Sequence, residues 1–203
     1  MISAMRQEPE EFDQPSLRER LLDVPSNVPR VVWYGRIAAL VVVAVWGMSV
    51  WLGKMIDTPN VLHLTLILFH EAGHVIFMPF GEALRVAGGT LGQLLIPFIC
   101  AASMFRRGDN FGAALCLAWM GMSLMDASIY AYDAANPILP LIGGGTGEDS
   151  FHDFIFLFDR YGQLDNARAW ARLMNALGAV CMLASLAWAA VLLYLQGEDL
   201  AER

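Results

Sequence analysis

Two histidines and a glutamate form the segment His70-Glu71-Ala72-Gly73-His74, and their spacing suits metal chemistry. In an α-helix, residues i and i+4 lie on one face, so the two imidazoles can bind one metal ion. Glu71 would then lie beside that ion, where its carboxylate can take a proton from a bound water. The segment lies in the apolar run 61–80. Because ionisable groups are costly in hydrocarbon, a functional site is the default interpretation.

The composition indicates that this helix belongs to a membrane protein. The chain has 203 residues, is 57% hydrophobic and 16% charged, and has a mean hydropathy of +0.48. A soluble domain would carry about a quarter charged residues. Runs near the ~20 residues that span a bilayer are 31–53, 61–80, 83–105, 111–131 and 170–195. We predict an all-α integral membrane protein, a bundle of about five transmembrane helices with HExxH on the second.

The third run is interrupted, which leaves two interpretations open. Arg85, Gly88, Gly89 and Pro97 all fall within it. It could be one span, or a re-entrant loop followed by a shorter span, which requires that protein cover the backbone.

The rest of the chain is divided around the transmembrane domain, which we place at 31–196. Residues 1–30 are predicted to be a polar, mostly disordered tail with a short surface helix at 17–24, and 197–203 a polar C-terminal tail. The connection 133–169 is long and glycine-rich, and such loops are usually functional or disordered. We expect a lid or gate there, with a short interfacial helix over 151–161.

The distribution of Lys and Arg predicts the orientation. An N-terminus in the cytoplasm places most of these residues on the cytoplasmic side. The pair Arg106-Arg107 argues the other way. We expect a bacterial inner membrane and a lipid-embedded protein. The net charge of −7 implies no nucleic-acid partner.

A catalytic zinc site usually has three protein ligands, so the histidine pair requires a third. Asp126 is the only acid within the fourth run. Runs two and four cross the membrane in the same direction, and counting residues at about 1.5 Å each places Asp126 and His74 at similar depth. We therefore predict Asp126 as the third ligand, with His152 and Asp153 as rivals if the loop folds back over the site.

Other polar residues near the motif have two interpretations each. Asp133 could orient a ligand histidine, or it could lie at the end of a helix that faces water. His63 shares the metal face and could contact substrate, or lie at the headgroups. Gln93 could bind a peptide carbonyl or a neighbouring helix. Cys100, Cys116 and Cys181, spaced far apart, are expected to be packing residues without a disulfide or a cysteine zinc site.

The segment Phe69-His70-Glu71-Ala72-Gly73-His74, with an aspartate in a later span, resembles the site-2 protease family of intramembrane zinc metalloproteases. The resemblance covers roughly half the chain and indicates a minimal or divergent member. It implies that His70, His74 and Asp126 bind Zn²⁺ and that Glu71 is the general base. It also implies that Gly88-Gly89 borders the substrate cleft.

The function we predict is hydrolysis of peptide bonds in or beside the membrane, on a membrane-protein or peptide substrate. The alternative is a non-catalytic adaptor or subunit of a membrane complex with a structural or regulatory zinc site, closed by a fourth ligand such as His152. Haem chemistry is disfavoured because the three histidines of the apolar runs lie in one run, and a di-iron site because Glu-x-x-His motifs are absent.

Overall fold

A computed structural model describes residues 15–52, 61–141 and 144–202. Within these ranges the chain is helical and contains no strand. The α-helices are α1 (Leu17–Leu22), α2 (Arg30–Trp51), α3 (Val61–Phe77), α4 (Glu82–Arg106), α5 (Asn110–Asp133), α6 (Asp153–Arg160) and α7 (Ala167–Ala201). Apolar runs favour helices because a helix satisfies its backbone polar groups internally.

Four of the described helices are long and apolar enough to cross a membrane, namely α2, α4, α5 and α7. They match four of the five predicted runs. The helix α3 has 17 residues and continues into a single 3₁₀ turn, Met78–Phe80. The helix α4 is continuous from Glu82 to Arg106 with Pro97 inside it, so the re-entrant alternative for this run is wrong.

Small residues bring the helices together. α5 packs against α2, α4 and α7, while α3 packs chiefly against α4. Where α5 meets α7, a Cβ at Gly121 would lie 2.6 Å from the carbonyl oxygen of Gly178. Between α3 and α4, a Cβ at Gly73 would overlap the carbonyl oxygen of Gly88. Backbones this close exclude any larger residue, which fixes the distance between α3 and α4 and that between α5 and α7.

Apolar side chains fill the interior and also cover much of the outside. A buried cluster joins Leu66 of α3 to Met122 and Met125 of α5 and Met182 of α7. Outward-facing apolar residues include Val45 of α2 and Leu68 of α3, which are 66% and 65% exposed. An exposed apolar surface of this kind suits a lipid environment.

The N-terminal segment contacts one end of the bundle. A capping box between Ser16 and Glu19 starts α1. Asn110 donates to the carbonyls of Arg20 and Asp23, and Trp188 donates to the carbonyl of Leu21. Residues 15–29 of the predicted disordered tail thus include a helix and pack on the bundle, while residues 1–14 lie outside the described part.

The long connection folds into two parts. Residues 134–141 and 144–152 form turns and bends, and α6 then runs from Asp153 to Arg160, close to the predicted interfacial helix. Phe154 anchors α6 in a cluster with Ala131 of α5 and Ala167 and Ala171 of α7. The helix α7 extends to Ala201 and therefore includes most of the predicted C-terminal tail.

Candidate metal centre

The two histidines of the motif converge on one carboxylate. His70 and His74 are neighbours on α3, with ring centroids 4.8 Å apart. The Nε2 atoms of His70 and His74 lie 2.9 and 3.2 Å from the same Oδ2 of Asp153, the first residue of α6. The Asp153 side chain is only 9% exposed. Three potential ligand atoms are therefore gathered at one partly enclosed point.

Each histidine has a partner on its other nitrogen. His70 Nδ1 lies 3.1 Å from Gln93 Oε1, and His74 Nδ1 lies 2.8 Å from the carbonyl oxygen of Arg85. The amide of Gln93 is oriented by its Nε2, which donates to the carbonyl of Ser123 at 2.9 Å. Both Nδ1 atoms therefore face acceptors and carry hydrogen. In the neutral rings the Nε2 lone pairs point towards Asp153.

This donor set fits a metal ion. Ligating histidines commonly donate the second ring N–H to an acceptor, as both do here. Without a cation, both rings would have to be doubly protonated to donate hydrogen bonds to Asp153. That would place two positive charges on rings whose centroids are 4.8 Å apart. Zinc bond lengths of about 2.0–2.2 Å in a tetrahedral site imply ligand atoms about 3.3 Å from one another. The two Nε2–Oδ2 distances are close to that value.

A glycine allows the pair to lie against α4. A Cβ at Gly89 would overlap His70 Nε2 and lie 2.7 Å from His74 Cε1. Gly88 is also buried, and a Cβ there would lie 2.7 Å from the carbonyl oxygen of Gly73. Both predicted cleft glycines thus lie in the α3–α4 contact, and Gly89 lies directly against the imidazoles.

Glu71 lies at the rim of the site. One of its carboxylate oxygens, one ring nitrogen of His70 and one of His74 all lie within 4.8 Å of one another, and Glu71 is exposed. The position leaves the carboxylate accessible from outside the bundle and close to the histidine nitrogens. Such a group can accept a proton from a water near the pair.

The ionisation of Asp153 suits a ligand. Burial raises the pKa of its carboxyl, but when the rings of His70 and His74 carry positive charge, their hydrogen bonds to Asp153 outweigh burial and hold that pKa below its usual value. Asp153 is therefore a carboxylate at neutral pH, which is the form that binds metals. Its backbone N–H donates to the hydroxyl of Tyr130 at 3.1 Å.

Asp126, predicted as the third ligand, lies elsewhere. Its Oδ1 is 2.9 Å from Nδ1 of His63, about three helical turns before His74. Similar depth in the membrane does not determine which face of a neighbouring helix an acid meets. The structure brings Asp153, a rival in the sequence analysis, to the histidine pair and places Asp126 against His63. The His63 side chain is 49% exposed.

Asp133 and His152 form a second polar contact behind the site. His152 Nε2 faces Asp133 Oδ2 at 3.4 Å, so His152 is not directed at the histidine pair as a fourth ligand. Gln93 bonds to the neighbouring helix α5 and to His70 at once. Cys100, Cys116 and Cys181 are free thiols.

Sequence reasoning missed Tyr130, whose ring centroid is 6.1 Å from that of His70 and 4.0 Å from that of His152. Packing of α5 near α3 brings Tyr130 to His70, and the chain after α5 brings His152 to Tyr130; neither contact follows from spacing in the sequence.

Comparison with protein-family models, curated proteins and solved structures finds no match to this chain.

Proposed function

We propose that the protein is a membrane-embedded zinc metalloprotease whose zinc ligands are His70, His74 and Asp153. The observation that carries the proposal is the convergence of two Nε2 lone pairs on one carboxylate oxygen, with both Nδ1 atoms already engaged. Three protein ligands leave a fourth position open, as catalytic rather than structural zinc sites do.

The chemistry follows from the residues around that position. Bound zinc supplies a Lewis acid that lowers the pKa of water and polarises a carbonyl. Glu71 takes the proton from the attacking water and returns it to the leaving amine. The closeness of Glu71 to both imidazoles supports this role, because a general base must reach a water held beside them.

Asp153 replaces Asp126 in this proposal, while the roles of the histidines and Glu71 are those that the resemblance to site-2 proteases implies. A closed site with His152 as fourth ligand is disfavoured because His152 faces Asp133. The adaptor alternative predicted a zinc site closed by a fourth protein ligand, and His152 does not occupy that position.

The proposal places α3 in the bilayer as a fifth span. The exposed Leu64, Leu68 and Val75 form an apolar strip along α3 that includes the position of Glu71. A bacterial inner membrane with the N-terminus in the cytoplasm agrees with the distribution of Lys and Arg. Substrates are membrane proteins or peptides that reach this side of α3.

The deciding experiment is Glu71→Gln in purified full-length protein reconstituted in liposomes. The variant is expected to bind zinc like the wild type and to cleave a library of fluorogenic transmembrane peptides at least about 100-fold more slowly. Zinc content and fluorescence release are measured on the same samples. Glu148→Gln, at an exposed position in the 134–152 segment, is the matched control. Unchanged cleavage by Glu71→Gln, or a wild type that binds no zinc, would refute the proposal.

A further inference from the structure

Asp153 reaches the histidines from a segment distant in sequence, so other residues must hold it there. Between the end of α5 and Asp153 lie residues 134–152, and their described parts, 134–141 and 144–152, contain no helix or strand. Phe154 anchors α6 in apolar contacts on the side of α7. Apolar packing tolerates small rotations, whereas a metal ligand must be held within about 0.5 Å. Directional polar contacts are therefore the relevant ones.

Asp133 joins the two ends of this segment. At the end of α5, its Oδ1 accepts hydrogen bonds from the backbone N–H groups of Ile138 and Leu139, at 2.9 and 3.1 Å. Its Oδ2 faces His152 Nε2 at the other end of the segment, at 3.4 Å. One carboxylate thus contacts the start of the turns and the residue directly before Asp153.

The contact between Asp133 and His152 is buried, and the two facing atoms have no other polar partner among the described residues. The side chains of Asp133 and His152 are 3% and 0% exposed. Within the described ranges, neither Asp133 Oδ2 nor His152 Nε2 has a hydrogen-bond partner. Buried polar atoms without partners are costly, so these two are left to satisfy one another.

The orientation of His152 is determined on its other side. Its Nδ1 accepts from the backbone N–H of Ile155 at 3.3 Å and caps α6, so the ring hydrogen of the neutral form is on Nε2, the nitrogen that lies 3.4 Å from Asp133 Oδ2. The ring also stacks on Tyr130, whose hydroxyl accepts from the Asp153 N–H. A Cβ at Gly147 would lie 2.8 Å from His152 Cδ2, so the preceding loop closes over the ring.

We propose that Asp133 and His152 are positioning residues that hold Asp153 at the histidine pair and thereby set the affinity of the site for zinc. The inference rests on the proposed zinc site. Neither residue is a proposed zinc ligand. Their contact fixes the backbone at the start of α6 and thereby the position of the Asp153 side chain.

Asp133→Asn tests this directly in full-length protein in detergent. The asparagine Oδ1 can still accept from Ile138 and Leu139, but its amide group presents N–H to the N–H of His152. We expect the zinc dissociation constant to rise about 10- to 100-fold, as for other partners behind metal ligands. Competition with a chromophoric chelator measures it. The visible absorption of the Co²⁺-substituted protein is expected to change as well, which a loss of stability alone would not cause. Asp149→Asn, on the exposed part of the same segment, should change neither.

A double-mutant cycle keeps the inference falsifiable if one variant folds poorly. His152→Phe retains a ring against Tyr130 and removes Nε2, and the double variant is expected to bind zinc no more weakly than the weaker single variant. Additive losses, or an Asp133→Asn variant with wild-type affinity, would overturn this inference and leave the zinc site intact. A wild type that binds no zinc would overturn both.

Discussion

The orientation of His70 and His74 is determined by the atoms that contact their Nδ1 nitrogens. Gln93 and the carbonyl of Arg85 each take one Nδ1–H, which leaves both Nε2 lone pairs directed at the same region. The Gln93 amide is itself held by Ser123. Such partners fix the ring orientation before a metal binds, so binding requires less ordering of the ligands.

The identity of the third ligand is tested by comparing two aspartates. Asp153→Asn is expected to lower zinc affinity more than about 100-fold, because losing a ligand costs more than losing a partner behind one. Asp126→Asn is expected to retain zinc, since Asp126 contacts His63 instead. Zinc content after dialysis against a weak chelator measures both. Loss of zinc in Asp126→Asn alone would restore the assignment made from the sequence.

The sequence could supply the histidine pair but not the third group. Spacing of i and i+4 within one helix is a local property, so His70 and His74 could be placed from their numbers alone. Asp153 depends on the path of the 134–152 segment and on the contacts of Asp133 and Tyr130. Depth along a span favoured Asp126, yet depth says nothing about rotation or lateral position of a helix.

At the scale of elements, α3 and α4 form one unit through glycine. Gly73, Gly88 and Gly92 allow the two backbones to touch, and Gly89 lies beneath the imidazoles. The two histidines of the site are therefore held by a close helix–helix contact, and Asp153 reaches them from the start of α6.

Gly89→Ala is expected to impair zinc binding. The added methyl group would overlap His70 Nε2 and crowd His74 Cε1, which displaces a ligand atom. We expect affinity to fall by about tenfold or more, as for other changes that disturb ligand orientation. Gly35→Ala in α2 is the control because its Cβ would have no atom within 4 Å. Equal zinc affinity in the two variants would show that α4 does not support the histidines in this way.

The helices themselves were largely predictable because hydrophobic runs of this length have few alternatives in a membrane. The α4 run was ambiguous from sequence because Gly88, Gly89 and Pro97 disfavour helices in water. In the structure these residues are buried against other helices, and that packing offsets their low helix propensity. The glycines determine how closely two helices approach. Unlike a hydrophobic run, that distance cannot be recognised in a single sequence.

At the scale of the whole molecule, the site lies towards one side of the bundle. α5 contacts three of the long helices, whereas α3 is supported chiefly by α4. The helix α6 contacts two parts of the bundle: its Phe154 packs near α7, and its Arg160 lies 3.4 Å from Glu82 of α4. The stability of the bundle and the integrity of the site should therefore be separable by mutation.

Gly178→Ala tests that separation at the α5–α7 contact. Its added Cβ would lie 2.7 Å from the carbonyl oxygen of Gly121 and 2.8 Å from Met125 Cγ, so the two helices must move apart. We expect a loss of about 1–3 kcal/mol of stability, typical of overpacking, seen as a lower midpoint of thermal unfolding in detergent by circular dichroism. Below that midpoint zinc affinity should stay near that of the wild type, because α7 contributes none of the proposed ligands. If the variant unfolds at the same temperature as the wild type, the α5–α7 contact has room for a methyl group and the packing argument is wrong. If it loses zinc while still folded, the α5–α7 contact controls the site.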